Sequence, residues 1–217
     1  SDAQAGSHTM TTSAISATNS SSTVYGGTAS DTLVVVGSPI LTLAITESSA
    51  LPGGTATAEF TLNYNANAAA DSTGIAFTVD LNAALTNLTS TTATQSDVCG
   101  SGSSISGSST LTFTGGTLAA GGSCTFSVTL QVPAAASPGS ITVTSSAVTS
   151  TSSSKAVTGP SSSDTLVISG LSLSHQFVTN PTLPGSTTII RYTITNAASA
   201  LAATAMQFSH DISQVIS

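Results

Sequence analysis

Tryptophan is absent from this chain of 217 residues, aromatics make up only 4% of it, and Lys155 and Arg191 are its only basic residues against nine acids. With two cations and a formal net charge of −7, the chain has nothing with which to neutralise a row of phosphates, so nucleic-acid binding is excluded. Attraction of a basic patch to an anionic membrane surface is excluded on the same ground. The scarcity of Lys and Arg also removes trypsin-type cleavage sites, which suits an extracellular or cell-surface protein. No run of 18 or more apolar residues occurs, so no membrane-spanning helix is expected. The opening SDAQAGSHTM lacks the basic and apolar regions of a signal peptide, so any such peptide is expected to be removed or far upstream. Sustained helical periodicity is also missing, apart from a weak possibility at Ala66 to Ala70.

Cysteine is nearly absent too. Cys99 and Cys124 lie 25 positions apart with no His close in sequence, so a zinc site lacks its four ligands. A single disulfide is the better reading and implies an oxidising compartment. Closing a loop of that length stabilises by about 3–4 kcal/mol in the chain-entropy account. The alternative of two unpaired buried thiols is disfavoured by the Gly and Ser around both positions.

What the chain does contain is Ser, Thr, Ala, Gly and aliphatic residues. Period-two alternation is clean in Ala56, Ala58, Phe60, Leu62 and Tyr64, and again in Phe126, Val128, Leu130 and Val132. Such strands expose one face and bury the other, as in a sandwich of two antiparallel sheets. Strands are expected at 31–36, 40–46, 55–64, 74–81, 109–114, 124–132 and 140–148. Turns are expected at Pro52-Gly53-Gly54, Gly115-Gly116, Gly121-Gly122 and Pro138-Gly139. The Gly- and Ser-rich stretch 98–110 reads as a loop or irregular hairpin tied down by Cys99.

One stretch occurs twice. Residues 30–64, SDTLVVVGSPILTLAITESSALPGGTATAEFTLNY, match residues 163–196, SDTLVISGLSLSHQFVTNPTLPGSTTIIRYTITN. Asp31 falls on Asp164 at an offset of 133, and Leu51 on Leu183 at 132 after a one-residue gap. The match continues from Phe60 to Tyr192, Phe77 to Phe208, Asp80 to Asp211 and Leu81 to Ile212. Upstream, GSHTMTTSAI at 6–15 falls on GSITVTSSAV at 139–148. Tandem repeats are therefore expected: residues 1–37 as the closing strands of a preceding incomplete repeat, 38–170 as one complete sandwich, and 171–217 as the opening strands of a following incomplete one. The chain reads as a window cut from a longer repetitive polypeptide.

About seven strands in roughly 130 residues suit an immunoglobulin-like β-sandwich. The order PGGTATAEFTLNYN, IAFTVDLNAAL, a Cys, GGTLAAGGSCTFSVTLQVP and ITVTSSAVTS resembles the conserved immunoglobulin-like repeat of unknown function in bacterial and archaeal surface and filament proteins. In that family the second element usually ends in Leu-Pro-Ala-Gly-Leu, where this chain has Leu81-Asn82-Ala83-Ala84-Leu85. The resemblance covers the complete unit and both flanks. It implies a sandwich fold, a secreted setting and a structural or adhesive role, and it brings no catalytic residues.

The repeat tests each chemical candidate. His8 falls on Ile141, His175 on Leu43 and His210 on Val79, so each His is expected to be a packed or half-exposed strand residue. His210 and Asp211 point to opposite faces of a strand and form no base–orienter pair. No Ser lies in a nucleophile-elbow sequence. Asp31 and Asp164 are weak Ca²⁺ candidates, but without an acidic cluster the better reading is a carboxylate accepting from nearby backbone N–H groups, and no metal or other cofactor is expected. Lys155 falls on Ser22, which argues against an intramolecular Lys–Asn cross-link as a general device. Thr-rich strands 110–114 and 141–144 lack the regular flat array of an ice-binding face. Asn19-Ser20-Ser21 and Asn87-Leu88-Thr89 match a glycosylation pattern that is frequent in so Ser- and Thr-rich a chain.

The expected function is non-enzymatic: a structural repeat of an extracellular filament or cell-surface stalk, assembling through β-strand contacts with other copies of itself. Asp31, Leu33, Asp164 and Leu166 mark the expected junction between units. The alternative is an adhesin or carbohydrate-binding module whose loops hold a glycan or other surface ligand. A hydrolase ranks last for want of a triad.

Overall fold

In the computed structural model, which describes residues 4–196 and 203–211, the chain is nearly all β. Four strands precede the central body: β1 (Gly6–Thr11), β2 (Ser16–Asn19), β3 (Ser22–Tyr25) and β4 (Ser30–Val35). The central body holds β5 (Ile40–Ile45), β6 (Ser49–Ala50), β7 (Thr55–Asn63), β8 (Ser72–Asp80), the single-turn helix α1 (Leu81–Ala84), β9 (Thr89–Ser90), β10 (Gln95–Ser96), β11 (Ser104–Ser106), β12 (Thr110–Leu118), β13 (Ser123–Gln131), β14 (Gly139–Thr144), β15 (Thr149–Ser152), β16 (Lys155–Thr158) and β17 (Ser163–Ile168). After it come β18 (Leu171–Phe177) and β19 (Ile190–Asn196).

The central body is an immunoglobulin-like sandwich. One sheet runs β5-β7-β13-β9 and the other β10-β11-β12-β8-β15-β16, with a third small sheet, β14-β17-β6, along the edge of β5. All pairings are antiparallel except β17 with β6, where Val167 faces Ser49 and Ile168 faces Ala50. Alternation places Phe60, Leu62, Val128 and Leu130 of the first sheet against Ile75, Phe77, Leu111 and Phe113 of the second, all of them buried. Four phenylalanines meet across the interface: Phe60 with Phe77 at 5.5 Å, Phe60 with Phe126 at 5.4 Å, Phe77 with Phe113 and Phe113 with Phe126 at 5.1 Å between centroids. Cys99 and Cys124 are joined by a disulfide that ties the segment before β11 to the start of β13.

Several local expectations are corrected. Gly115-Gly116 is no turn; β12 runs through it with a register shift between Phe113 and Gly116. Gly115 has φ +75°, and a Cβ on Gly116 would stand 2.8 Å from the Phe113 ring, so both glycines answer to a bulge and a close approach. The stretch at 66–70 is not helical; the helix is α1, started by Asp80, whose Oδ1 accepts from Ala83 N–H at 3.0 Å. Of the two readings of the glycine-rich 98–110 stretch, the hairpin holds, with β11 pairing antiparallel with β12. Hairpins β2–β3 and β15–β16 turn on Ser20-Ser21 (φ 47° and 74°) and Ser153-Ser154 (φ 48° and 60°), the two positive φ values that a tight two-residue hairpin needs.

Truncating one ring of the aromatic cluster tests this account of the core. Phe60→Ala is expected to lower the unfolding free energy by about 3–5 kcal/mol in urea titrations. Tyr25→Ala, on an exposed strand outside the central body, should change it by less than about 0.5 kcal/mol.

Candidate functional site

The strands outside the central body repeat its local geometry. At an offset of 133 the bounds of β1 to β4 coincide with those of β14 to β17. The pairing Gly6↔Val35 through Thr11↔Ser30 reappears as Gly139↔Ile168 through Thr144↔Ser163. Thr12 N–H donates to Ala29 O at 2.8 Å and Ala29 N–H to Thr12 Oγ1 at 3.0 Å; Ser145 and Ser162 make the same two bonds at 2.8 and 2.9 Å. On the other side, an offset of 132 carries Ile45↔Ala58 of β5–β7 onto Phe177↔Ile190 of β18–β19.

What differs is cover. Leu166 on β17 is fully buried, whereas its counterpart Leu33 on β4 is 62% exposed. Leu41 on β5 is 3% exposed and its counterpart Leu173 on β18 is 50% exposed. Phe77 is 3% exposed against 49% for Phe208. Two open grooves lie on these faces: one of about 470 Å³ beside Met10, Thr12, Asp31 and Leu33, the other of about 140 Å³ beside Leu171, Leu173, Ile194 and Phe208. Most of the exposed large aliphatic and aromatic side chains lie outside the central body.

The four residues expected at the junction separate into two pairs. Asp164 and Leu166 are internal to the central body, while Asp31 and Leu33 lie on the open face of β4. Asp164 uses both oxygens: Oδ1 accepts from Thr165 N–H at 2.8 Å and Oδ2 from Ile45 N–H at 2.7 Å. Beside it Ser162 Oγ accepts from Leu43 N–H at 2.9 Å, so the outer edge of β5 is capped by side chains from β17 and from the residue just before it. Asp31 repeats the first contact, accepting from Thr32 N–H at 2.8 Å. Among the described residues no strand lies beside it to supply the second.

The histidines depart from expectation: His8, His175 and His210 are all exposed. His175, Tyr192, Phe208 and His210 form an aromatic cluster, with Tyr192 and Phe208 at 5.1 Å between centroids and the Tyr192 hydroxyl hydrogen-bonded to His210 Nδ1. Their counterparts Leu43, Phe60, Phe77 and Val79 are core residues. Ile212, expected to continue this match, lies outside the described residues. Among the described residues no group of three or more His, Cys, Asp or Glu could hold a metal, and no helix is long and apolar enough to cross a membrane.

The sequence reading overlooked Ser162 and Glu47. Partial burial of Glu47 raises its pKa, but the Thr57 N–H and hydroxyl and the Thr46 hydroxyl donate to its carboxylate and together hold it below the ordinary value. The signal for Ser162 was its place two residues before an Asp repeated between copies.

Residues 39–168, from the residue before β5 to the last residue of β17, match the model of a family described as a domain of unknown function (DUF7933). That description is coarser than the surface-protein repeat the residues resemble. No curated protein matches the chain. Among solved structures it is similar to the fimbrial adhesin FimA of Actinomyces, at 15% identity and a TM-score of 0.39, with 62% of this chain and 58% of that one covered. It is similar to BcpA*(D312A), the major pilin subunit of Bacillus cereus, at 12% identity and a TM-score of 0.43, with 78% and 60% covered. A family 123 glycoside hydrolase from Clostridium perfringens is also similar, at 11% identity and a TM-score of 0.30, with 60% and 27% covered. The chain thus spans less than two thirds of each of these proteins.

Two predictions follow from the carboxylates. Asp164→Ala should destabilise the central body by about 1.5–3 kcal/mol in urea, because it leaves the Ile45 N–H without an acceptor, whereas Asp31→Ala should stay within about 0.5 kcal/mol for the isolated chain. A folded-state pKa below the unfolded one makes Glu47 stabilising at neutral pH, so Glu47→Gln should lower the melting temperature at pH 7. That difference should shrink in melts recorded as the pH falls through the ordinary glutamate range and disappear below the lowered folded-state value.

Proposed function

The chain belongs to this family of domains of unknown function, and we propose that it is a non-enzymatic structural repeat of an extracellular filament or cell-surface stalk whose units join through β-strand contacts. The observation that carries this reading is the repeated register: residues 6–35 hold the same hairpins as 139–168, and residues 171–196 hold the same strand pair as β5–β7. Residues 1–37 are then the closing strands of one unit, 38–170 a complete unit and 171–217 the opening strands of another. The apolar sides of the two partial units are uncovered, and a sheet face of that kind is stable only when another layer lies on it. Links of a few residues between β4 and β5 and between β17 and β18 place successive units close together.

The composition fits the same role. A surface with two cations and a disulfide between Cys99 and Cys124 suits an oxidising, protease-rich exterior. The partners are other copies of the unit.

Light scattering coupled to size exclusion, with electron microscopy of the purified chain, tests the proposal. Mass should rise with concentration and rod-like particles should be seen. A strictly monomeric, non-fibrous species at all concentrations would overturn it.

A further inference from the structure

We infer that Asn87 is the acceptor for an N-linked glycan, joined to the chain outside the cytoplasm by a transferase that draws on a lipid-linked sugar pyrophosphate. The inference rests on the extracellular setting of the proposed function, and the site lies wholly inside residues 39–168, the stretch that matches the family. Asn87-Leu88-Thr89 supplies what such a transfer needs: an amide nitrogen, a hydroxyl two residues on for the transferase to hold, and no proline between them. In a chain so rich in Ser and Thr the pattern alone carries little weight. Its place in the fold gives it weight.

Asn87 is the third residue of the turn Leu85–Leu88 that joins α1 to β9, closed by Leu88 N–H donating to Leu85 O at 2.9 Å. Its φ of +64° is a conformation that Asn tolerates better than most residues. A second bond pins the turn, since Asn87 N–H donates to Asn82 Oδ1 at 2.9 Å. Burial then alternates along the motif: Asn87 is exposed, Leu88 fully buried, Thr89 partly exposed and Ser90 buried. The anchors are therefore turned inward, and the amide and hydroxyl that a transferase must read together are turned outward. Among the described residues neither the Asn87 carboxamide nor the Thr89 hydroxyl has a hydrogen-bond partner, so a bulky substituent there breaks no contact of the fold. Residues 81–96 carry no charge, and nothing in that segment repels the pyrophosphate of the donor.

The other Asn patterns lack this combination. Asn19 Oδ1 already accepts from Ser20 Oγ at 3.3 Å, and at the offset of 133 Asn19 falls on the buried Ser152, so the central body has no acceptor there. Asn180-Pro181-Thr182 is interrupted by its proline.

In the transfer, Asn87 Nδ2 bonds to the anomeric carbon of the sugar as the bond from that carbon to the pyrophosphate oxygen breaks. The oxygen leaves with the electron pair, and the proton displaced from the amide nitrogen passes to a base of the transferase. A hydrophilic substituent at this turn adds bulk and solubility to a chain in which only 5% of residues are charged.

Mass spectrometry of the chain recovered from the cells that make it tests the assignment. Trypsin has only Lys155 and Arg191 to act on, whereas cleavage after Asp frames the site in a fragment between Asp80 and Asp97. In the parent chain this fragment should exceed its sequence mass by whole sugar residues, and fragmentation should place them on Asn87. Asn87→Asp tolerates the positive φ and removes the nitrogen, so it should carry no sugar. Thr89→Val should lose the sugar and Thr89→Ser retain it. Sugar held by Ser or Thr hydroxyls with Asn87 bare, or a fragment of unmodified mass from chain found outside the cell, would overturn the inference and leave the filament reading in place. Chain found only inside the cell would overturn both.

Discussion

Four phenylalanine rings, two from each sheet, close a cycle in the middle of the sandwich, and the remaining order of the central body depends on that contact. In a chain without tryptophan and with 4% aromatics, these rings are the largest apolar groups available to span the gap between sheets. Offset stacking fixes the height at which β7 and β13 sit over β8 and β12, and the aliphatic residues fill the space on either side. Gly116 shows how tight the fit is, since the edge of the Phe113 ring occupies the space a side chain there would need.

A second constraint acts at the sheet edge. The outer edge of β5 presents backbone N–H groups, and the central body satisfies them with side chains, Ser162 and Asp164, rather than with a full strand ladder. The β4 copy of this device keeps its carboxylate at Asp31, and among the described residues no strand ladder joins β4 to a copy of β5. The same parts therefore appear joined once, in the central body.

Alternation in Ala56 to Tyr64 and Phe126 to Val132 made the central strands legible, because burial of one face only leaves a period of two in the residues themselves. The internal sequence match puts Asp31 and Leu33 on β4 and Asp164 and Leu166 at the corresponding positions of β17. It did not reveal that the first pair is open and the second enclosed, since cover is supplied by other strands and leaves no mark on the covered residue. His175 and His210 illustrate this: alignment with Leu43 and Val79 gave a core position, and the missing layer left both in solvent. The serine hairpins were overlooked because the positive φ values fall on Ser-Ser instead of Asn-Gly. Gly115-Gly116 imitated a turn because crowding against Phe113 is invisible until the chain is folded.

The parallel placement of the first and last strands of the central body has a mechanical side. Leu43 and Ile45 meet Ser162 and Asp164, and farther on Ser49 and Ala50 meet Val167 and Ile168, all in one direction along the chain. Tension drawn in at residue 39 and out at residue 169 would slide these two strands lengthwise past each other. Every one of those contacts would then bear load together instead of opening one at a time, which makes the strand arrangement of this unit that of a shear clamp.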